Sequence, residues 1–226
     1  EKHKPVPNLV DLKLKRIFDY YLKQNLPEFT GKKRVGIPRV LNMYEDFPFW
    51  FTFWNTLGYE VVLSDYTTKD QFNSALDTIP SDTACYPAKS VHGHIKQLTN
   101  SQVDFIWYPC IQHGPMEYSR DNNYHCPMVI SYPELIKNNM QDVLVDIPLV
   151  EPFLPLADKK SLVPRLKDAL SFLGLSKKEV QAAVDKAWDE QEQWKKDYQE
   201  ITKKTVSRLI AEKIPAIVLC GRPYHL

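Results

Sequence analysis

Apolar positions along this chain fall into two kinds of run that alternate over most of its length. Leu9, Leu12, Ile17, Tyr20 and Tyr21 lie near helical spacing among lysines, which predicts an amphipathic helix over Leu9–Leu22. Pro5 and Pro7 precede it and Pro27 to Gly31 end it, so it reads as a lead-in helix. From Arg34 the pattern becomes regular. Val35–Leu41 is a β-rich run. Asp46 then caps a helix through Leu57, with Pro48 in its first turn and Phe47, Trp50, Phe51, Trp54 and Leu57 as an apolar stripe. Gly58 follows in the position that commonly ends a helix.

The alternation continues with a strand at Glu60–Ser64, a short helix at Lys69–Leu76, a helix at Pro87–Leu98 and a strand at Val103–Tyr108. After these come a strand at Met128–Ser131, a helix at Pro133–Met140 and a strand at Val143–Ile147. Strands separated by short helices indicate βαβ units and a parallel sheet. The expected fold class is therefore α/β, a three-layer αβα Rossmann-like lobe over residues 34–150, with residues 1–33 as lead-in helix and linker.

Pro148, Pro152 and Pro155 lead out of that lobe into a helical region at residues 151–215. A helix is expected over Asp158–Leu173. Ser176 and Glu179 form a capping-box pattern opening a helix that runs to about Glu212. Such a helix is about 50 Å long at 1.5 Å per residue, longer than a lobe of this size covers. It either forms one arm of a helical hairpin or docks another subunit or domain. Ala216–Cys220 reads as a final strand before Gly221-Arg222-Pro223-Tyr224-His225-Leu226. Residues 216–226 are then the first strand of a following lobe or the last strand of this one, and the chain reads as truncated before a second lobe.

Composition narrows the function classes. Lys plus Arg number 29 and Asp plus Glu 28, a net charge of +1, which argues against a protein that coats nucleic acid or an anionic membrane. No apolar stretch reaches the roughly 18 residues of a membrane span. Glu1–Pro7 has no signal-peptide character. Only 7 residues are glycine, and neither common glycine-rich phosphate loop occurs. Four cysteines without a Cys-x-x-Cys pair are too few for a disulfide scaffold, so a reducing cytoplasm is expected.

In an open parallel sheet, ligands bind beyond the carboxyl ends of the strands. Cys110 follows the strand at Val103–Tyr108, Cys85 precedes a helix, and Cys220 ends the last strand. A helix N-terminus lowers a thiol pKa and favours thiolate. Cys85 and Cys110 are thus candidates to meet at one rim, with Cys126 brought back by the loop from Ile111 to His125. The spacing alone leaves buried structural cysteines, metal ligands and a nucleophile all open. His92 and His94 are two apart and cannot act as an i, i+4 zinc pair; core or surface histidines are the simpler reading. Arg39 either meets an anionic group at the rim or pairs with Glu45 or Asp46, with the ion pair favoured.

The strings VGIPRVLNMYEDFPFWFTFWNTLGYEVVLS, CYPAKSVHGHIKQL, YPC, CPMVISYPELIKNN and VLCGRPYH resemble the large activator-like proteins of the 2-hydroxyacyl-CoA dehydratase system, a CoA-substrate-specific enzyme activase family. The likeness is to the segment downstream of the family's ATPase domains, itself similar to the iron-sulfur subunits of the dehydratases and benzoyl-CoA reductases. It implies an electron-transfer module with a [4Fe-4S] or related cluster on Cys85, Cys110 and Cys126, and Arg39, Lys89 and His92 as cofactor-binding candidates. It also implies upstream ATPase domains, a second lobe and a dehydratase-like subunit as partners, and allows a homo-oligomer. The chain carries no ATPase signature and no complete catalytic machinery. Two other functions stay open: a metal-free module that docks ATPase domains or a partner subunit, and a CoA-thioester site at the sheet rim using Arg39 and helix N-termini.

Overall fold

The computed structural model describes residues 5–23, 33–114 and 123–225. The chain opens with α1 (Leu9–Leu14), whose N-cap Asn8 accepts hydrogen bonds from the amides of Val10 and Asp11. A π-helical turn over Lys15–Asp19 leads into α2 (Tyr20–Leu22). Ile17, Phe18 and Tyr21 are buried there. Next come β1 (Arg34–Ile37), α3 (Met43–Thr56), β2 (Glu60–Leu63), α4 (Lys69–Asn73) and α5 (Tyr86–Thr99). They are followed by β3 (Phe105–Trp107), β4 (Cys110–Ile111), α6 (Pro127–Asn139), β5 (Leu149–Val150) and β6 (Phe153–Leu154). Finally, α7 (Lys159–Ala169) and α8 (Lys177–Ala211) form the helical region.

The main sheet is parallel in the order β2-β1-β3-β5, with Val35 opposite both Val61 and Phe105. Helices cover both faces. Phe105 and Trp107 meet Trp54 and Trp50 of α3 edge to face. On the opposite face Gly36 has no side chain, and Leu98 of α5 fills that space, with a Cβ there lying 3.3 Å from it. The α/β reading with a parallel sheet between helical layers is thus what the chain forms.

α3 is buried on every side, because helices also cover the face it turns from the sheet. Phe18 and Tyr21 pack on Phe47 and Phe51, and Trp188 of α8 packs on Phe49. Gln191 of α8 donates to the Glu45 carbonyl. The capping box predicted for α8 is present, with Ser176 Oγ accepting from the Glu179 amide and Glu179 accepting from the Ser176 amide. Val180, Ala183, Val184, Ala187 and Trp194 join the same hydrophobic core as the sheet. Among the described residues no helix is long and apolar enough to cross a membrane.

Four expected elements differ. α3 starts at Met43, so Asp46 lies buried inside its first turn instead of capping it, and Asn42 Nδ2 donates to its carboxyl at 3.0 Å. Met128–Ser131 is helical, because Cys126-Pro127 starts α6 and the buried positions Val129, Tyr132 and Ile136 follow helical spacing. That packing outweighs the β preference of Val129-Ile130. Residues 143–147 form turns and bends, and the strand follows at Leu149–Val150. Residues 216–220 form no strand, since no sheet edge lies beside them, and Ile217 and Val218 are 89% and 83% exposed.

Candidate functional site

β1 ends at the carboxyl rim of the sheet and runs into Pro38-Arg39. Arg39 turns inward. Its amide donates to Ser64 Oγ at 2.7 Å and its Nε to the Ser64 carbonyl at 3.1 Å, tying the end of β1 to the end of β2. The guanidinium lies over the rings of Phe18 and Tyr66, 4.5 and 3.8 Å from their centroids. Only 5% of the residue is exposed, and Nη1 is buried without a hydrogen-bond partner among the described residues. Burial lowers its pKa from the ordinary value, against raising contributions from Tyr66, Tyr44 and Asp19. The expected ion pair with Glu45 or Asp46 does not form. Glu45 is turned toward Lys13, and Asp46 is held by Asn42 inside α3.

Behind Arg39 lies a short polar relay. Gln71 Nε2 can only donate and lies 3.4 Å from His94 Nδ1, so that nitrogen accepts, and Ser64 Oγ, which itself accepts the Arg39 amide, donates to it at 2.8 Å. His94 Nε2 then carries the ring proton and donates to Thr67 Oγ1 at 2.9 Å. His92 adopts the other tautomer. Thr78 Oγ1 donates to the Ala75 carbonyl and therefore accepts from His92 Nδ1, while Tyr132 donates to Nε2 at 3.2 Å. Burial pulls both histidines down to about 4, with Arg39 adding to the effect at His94. Both are neutral pins between elements, in line with the simpler reading of them.

A cleft of about 580 Å³ opens at this rim. Arg39, Leu41, Tyr44, Tyr66 and Tyr86 line it, with Tyr224 and His225 near the end of the chain. Pro87 and Ser90 bring the first turns of α5 to the same space. Of the three cofactor-binding candidates, only Arg39 reaches the cleft. Lys89 donates to the Asp82 carbonyl and His92 is buried against α6, and neither lines it. The tyrosines were not singled out in the sequence. Their one signal was position, just past the end of β2 for Tyr66 and at the first residue of α5 for Tyr86.

The cysteines separate. Cys85 is the exposed N-cap of α5 and Cys126 the partly buried N-cap of α6. His92 and Tyr132, which bond across these helices, lie seven and six residues past their respective caps, so α5 and α6 run side by side with their N-termini level. Burial raises the Tyr224 pKa, with further raising contributions from Cys126 and Cys85. Cys110 is elsewhere. The β3 and β5 strands continue past Pro109 and Pro152 as β4 and β6, with the Cys110 amide donating to the Pro152 carbonyl. That extension draws Cys110 under α6, fully buried, and burial pushes its thiol up to about 12. Among the described residues no three His, Cys, Asp or Glu side chains gather to hold a metal ion. The expected set of Cys85, Cys110 and Cys126 is therefore not assembled as one ligand cluster, because the sheet runs on past the place where the rim was expected. Cys220 is exposed in the extended segment after α8.

Residues 34–226 match a family described as the CoA enzyme activase uncharacterised domain (DUF2229). The chain belongs to this CoA enzyme activase domain family. The match starts at β1 and takes in the activase domain's sheet, its rim cleft and α8, leaving out only the lead-in helix. No curated protein and no solved structure matches the chain.

Proposed function

We propose that this activase domain is a thiol-bearing redox module, which shares an iron-sulfur cluster with ligands from outside the described residues. What supports the reading is the common position of Cys85 and Cys126, each at the N-cap position of one of two neighbouring helices joined by the His92–Tyr132 hydrogen bond. Cysteine sulfur is the ligand that holds such clusters. Cys110, in the core with a raised pKa, is left out of the proposed ligand set. Such a cluster supplies one-electron transfer when bound. The ATPase domains implied by the resemblance would drive it, in the cytoplasm, where all four free thiols stay reduced.

Anaerobic reconstitution with iron and sulfide tests this. Retained iron and absorbance near ~400 nm are expected from thiolate-bound clusters. Cys85→Ser and Cys126→Ser should each abolish the signal, and Cys110→Ala should keep it. A chain that retains no iron, or a signal indifferent to Cys85 and Cys126, refutes the reading.

A second reading is a metal-free docking module for the ATPase domains or a dehydratase-like subunit. The exposed run Ile217, Val218 and Leu219, at 89%, 83% and 59%, favours it. Val218→Asp with Leu219→Asp should then abolish co-elution with those domains, while replacing all four cysteines should not.

A further inference from the structure

The cleft at the sheet rim has a charge pattern that the redox reading does not use. Among the described residues Arg39 is its one permanently charged lining residue, His225 is the one other basic side chain, and no Lys, Asp or Glu lines it. The faces of the guanidinium are covered by Phe18 and Tyr66, so it can offer only its edge. Nη1 is buried without a hydrogen-bond partner among the described residues, in a residue that is 5% exposed and lines the cleft. An unpaired buried donor of this kind costs stability unless a ligand completes it. The N-terminus of α5 points the same way. The Cys85 side chain makes no capping hydrogen bond, Pro87 has no amide and the Ala88 amide is bonded to the Cys85 carbonyl, which leaves the Tyr86 amide at the positive end of this 14-residue helix without a partner among the described residues.

One fork and one helix end suit a single negative charge. A pyrophosphate would bring more charge than the lining balances, and Pro87 has no amide to offer it. The guanidinium edge matches the two oxygens of a carboxylate. Around it, Leu41, Tyr44, Tyr66 and Tyr86 supply apolar and aromatic walls. The volume of about 580 Å³ lies within the roughly 300–1,000 Å³ of small-molecule sites. We propose that this cleft binds an organic monoanion, its carboxylate seated on Arg39 and its apolar body held between the rim tyrosines. The carboxylate could belong to a free acid or to a peptide C-terminus.

The test is calorimetric titration of the 226-residue chain, with the Arg39 Nε–H resonance followed by NMR. Phenylacetate represents the free acid and N-acetylphenylalanine a peptide end; phenylacetamide is the uncharged match, and coenzyme A the polyanion. At least one carboxylate should bind and shift the Arg39 resonance, the tighter of the two identifying the source. Phenylacetamide should bind at least tenfold more weakly than phenylacetate. Arg39→Met should weaken carboxylate binding at least tenfold. Should that variant fold poorly, Tyr66→Ala, which uncovers one face of the guanidinium, should weaken it as well. The proposal is overturned if neither carboxylate binds at 10 mM (on the order of the weakest millimolar affinities) or if the amide binds equally. It is also overturned if the Arg39 resonance stays fixed at saturation, or if only coenzyme A binds. Iron retention plays no part in the readout, so the redox reading and this site stand or fall separately.

Discussion

Replacing Gly93 with alanine pits a local preference against a tertiary contact, and the geometry decides the sign. Gly93 lies in the middle of α5, where alanine is favoured over glycine by about 1 kcal/mol. An ideal Cβ at that position would stand 2.5 Å from the Gln71 carbonyl oxygen, 3.0 Å from its carbon and 3.1 Å from Gln71 Cγ. The first two atoms are backbone of α4, so relief requires moving the helix instead of rotating a side chain. Gln71 is also held in place, since its amide reaches Gln97 Oε1 at 2.9 Å and its carbonyl accepts from Ser74 Oγ. Overpacking of this kind costs about 1–3 kcal/mol, occasionally more, and a backbone clash belongs at the upper end. After the helix gain is subtracted, Gly93→Ala should destabilise by about 2 kcal/mol, lowering Tm by roughly 4–8 °C in a chain this long. Urea unfolding should show a lower midpoint at an unchanged slope. A variant as stable as the wild type, or more so, would refute the claim that the close approach of α4 and α5 fixes glycine here.

Four further outcomes follow from buried charge and capping. Burial raises Asp46 to about 7, so folded Asp46 keeps its proton in a range where the unfolded chain has lost it. Its stabilising neutral form is lost as pH rises from about 4 through 7, and Asp46→Asn should be more stable than wild type at pH 8 by on the order of 2 kcal/mol, the gap closing toward pH 4. His92 and His94, pulled down to about 4, work in the other direction. The unfolded chain binds their protons first as pH falls below about 6.5, so stability drops between about 6.5 and 4; imidazole NMR midpoints near 6.5 would contradict this. Arg16 joins the lead-in helix to α8 through Glu190 and Asp197, both at 2.9 Å, and donates to Tyr21 Oη at 2.7 Å. Arg16→Ala should cost about 1–2 kcal/mol in denaturant unfolding, because Glu190 and Asp197 keep only the neutral donors Tyr21 and Gln193, and a loss below about 0.5 would place the pair among weak surface bridges. Ser176→Ala removes the α8 cap and should cost about 1 kcal/mol by the same measurement.

The sequence by itself determined the elements whose signals are local. The capping box at Ser176 and Glu179, Cys85 and Pro87 at the start of α5, and the alternation of short strands with helices were legible because caps and periodicity act within a turn or two. The placement of Arg39 at a carboxyl rim followed from the same alternation. Tertiary structure decided the rest. Val129-Ile130 became helical because α6 buries Val129, Tyr132 and Ile136 on one face. Cys110 went into the core because β4 pairs with β6 beyond two prolines, a contact between residues far apart in the chain. Arg39 lost its expected acidic partner because Phe18 of the lead-in helix, and Ser64 and Tyr66 of the loop after β2, hold it first. For Cys110 and Arg39 the deciding partner lay too far along the chain for any spacing rule to register it.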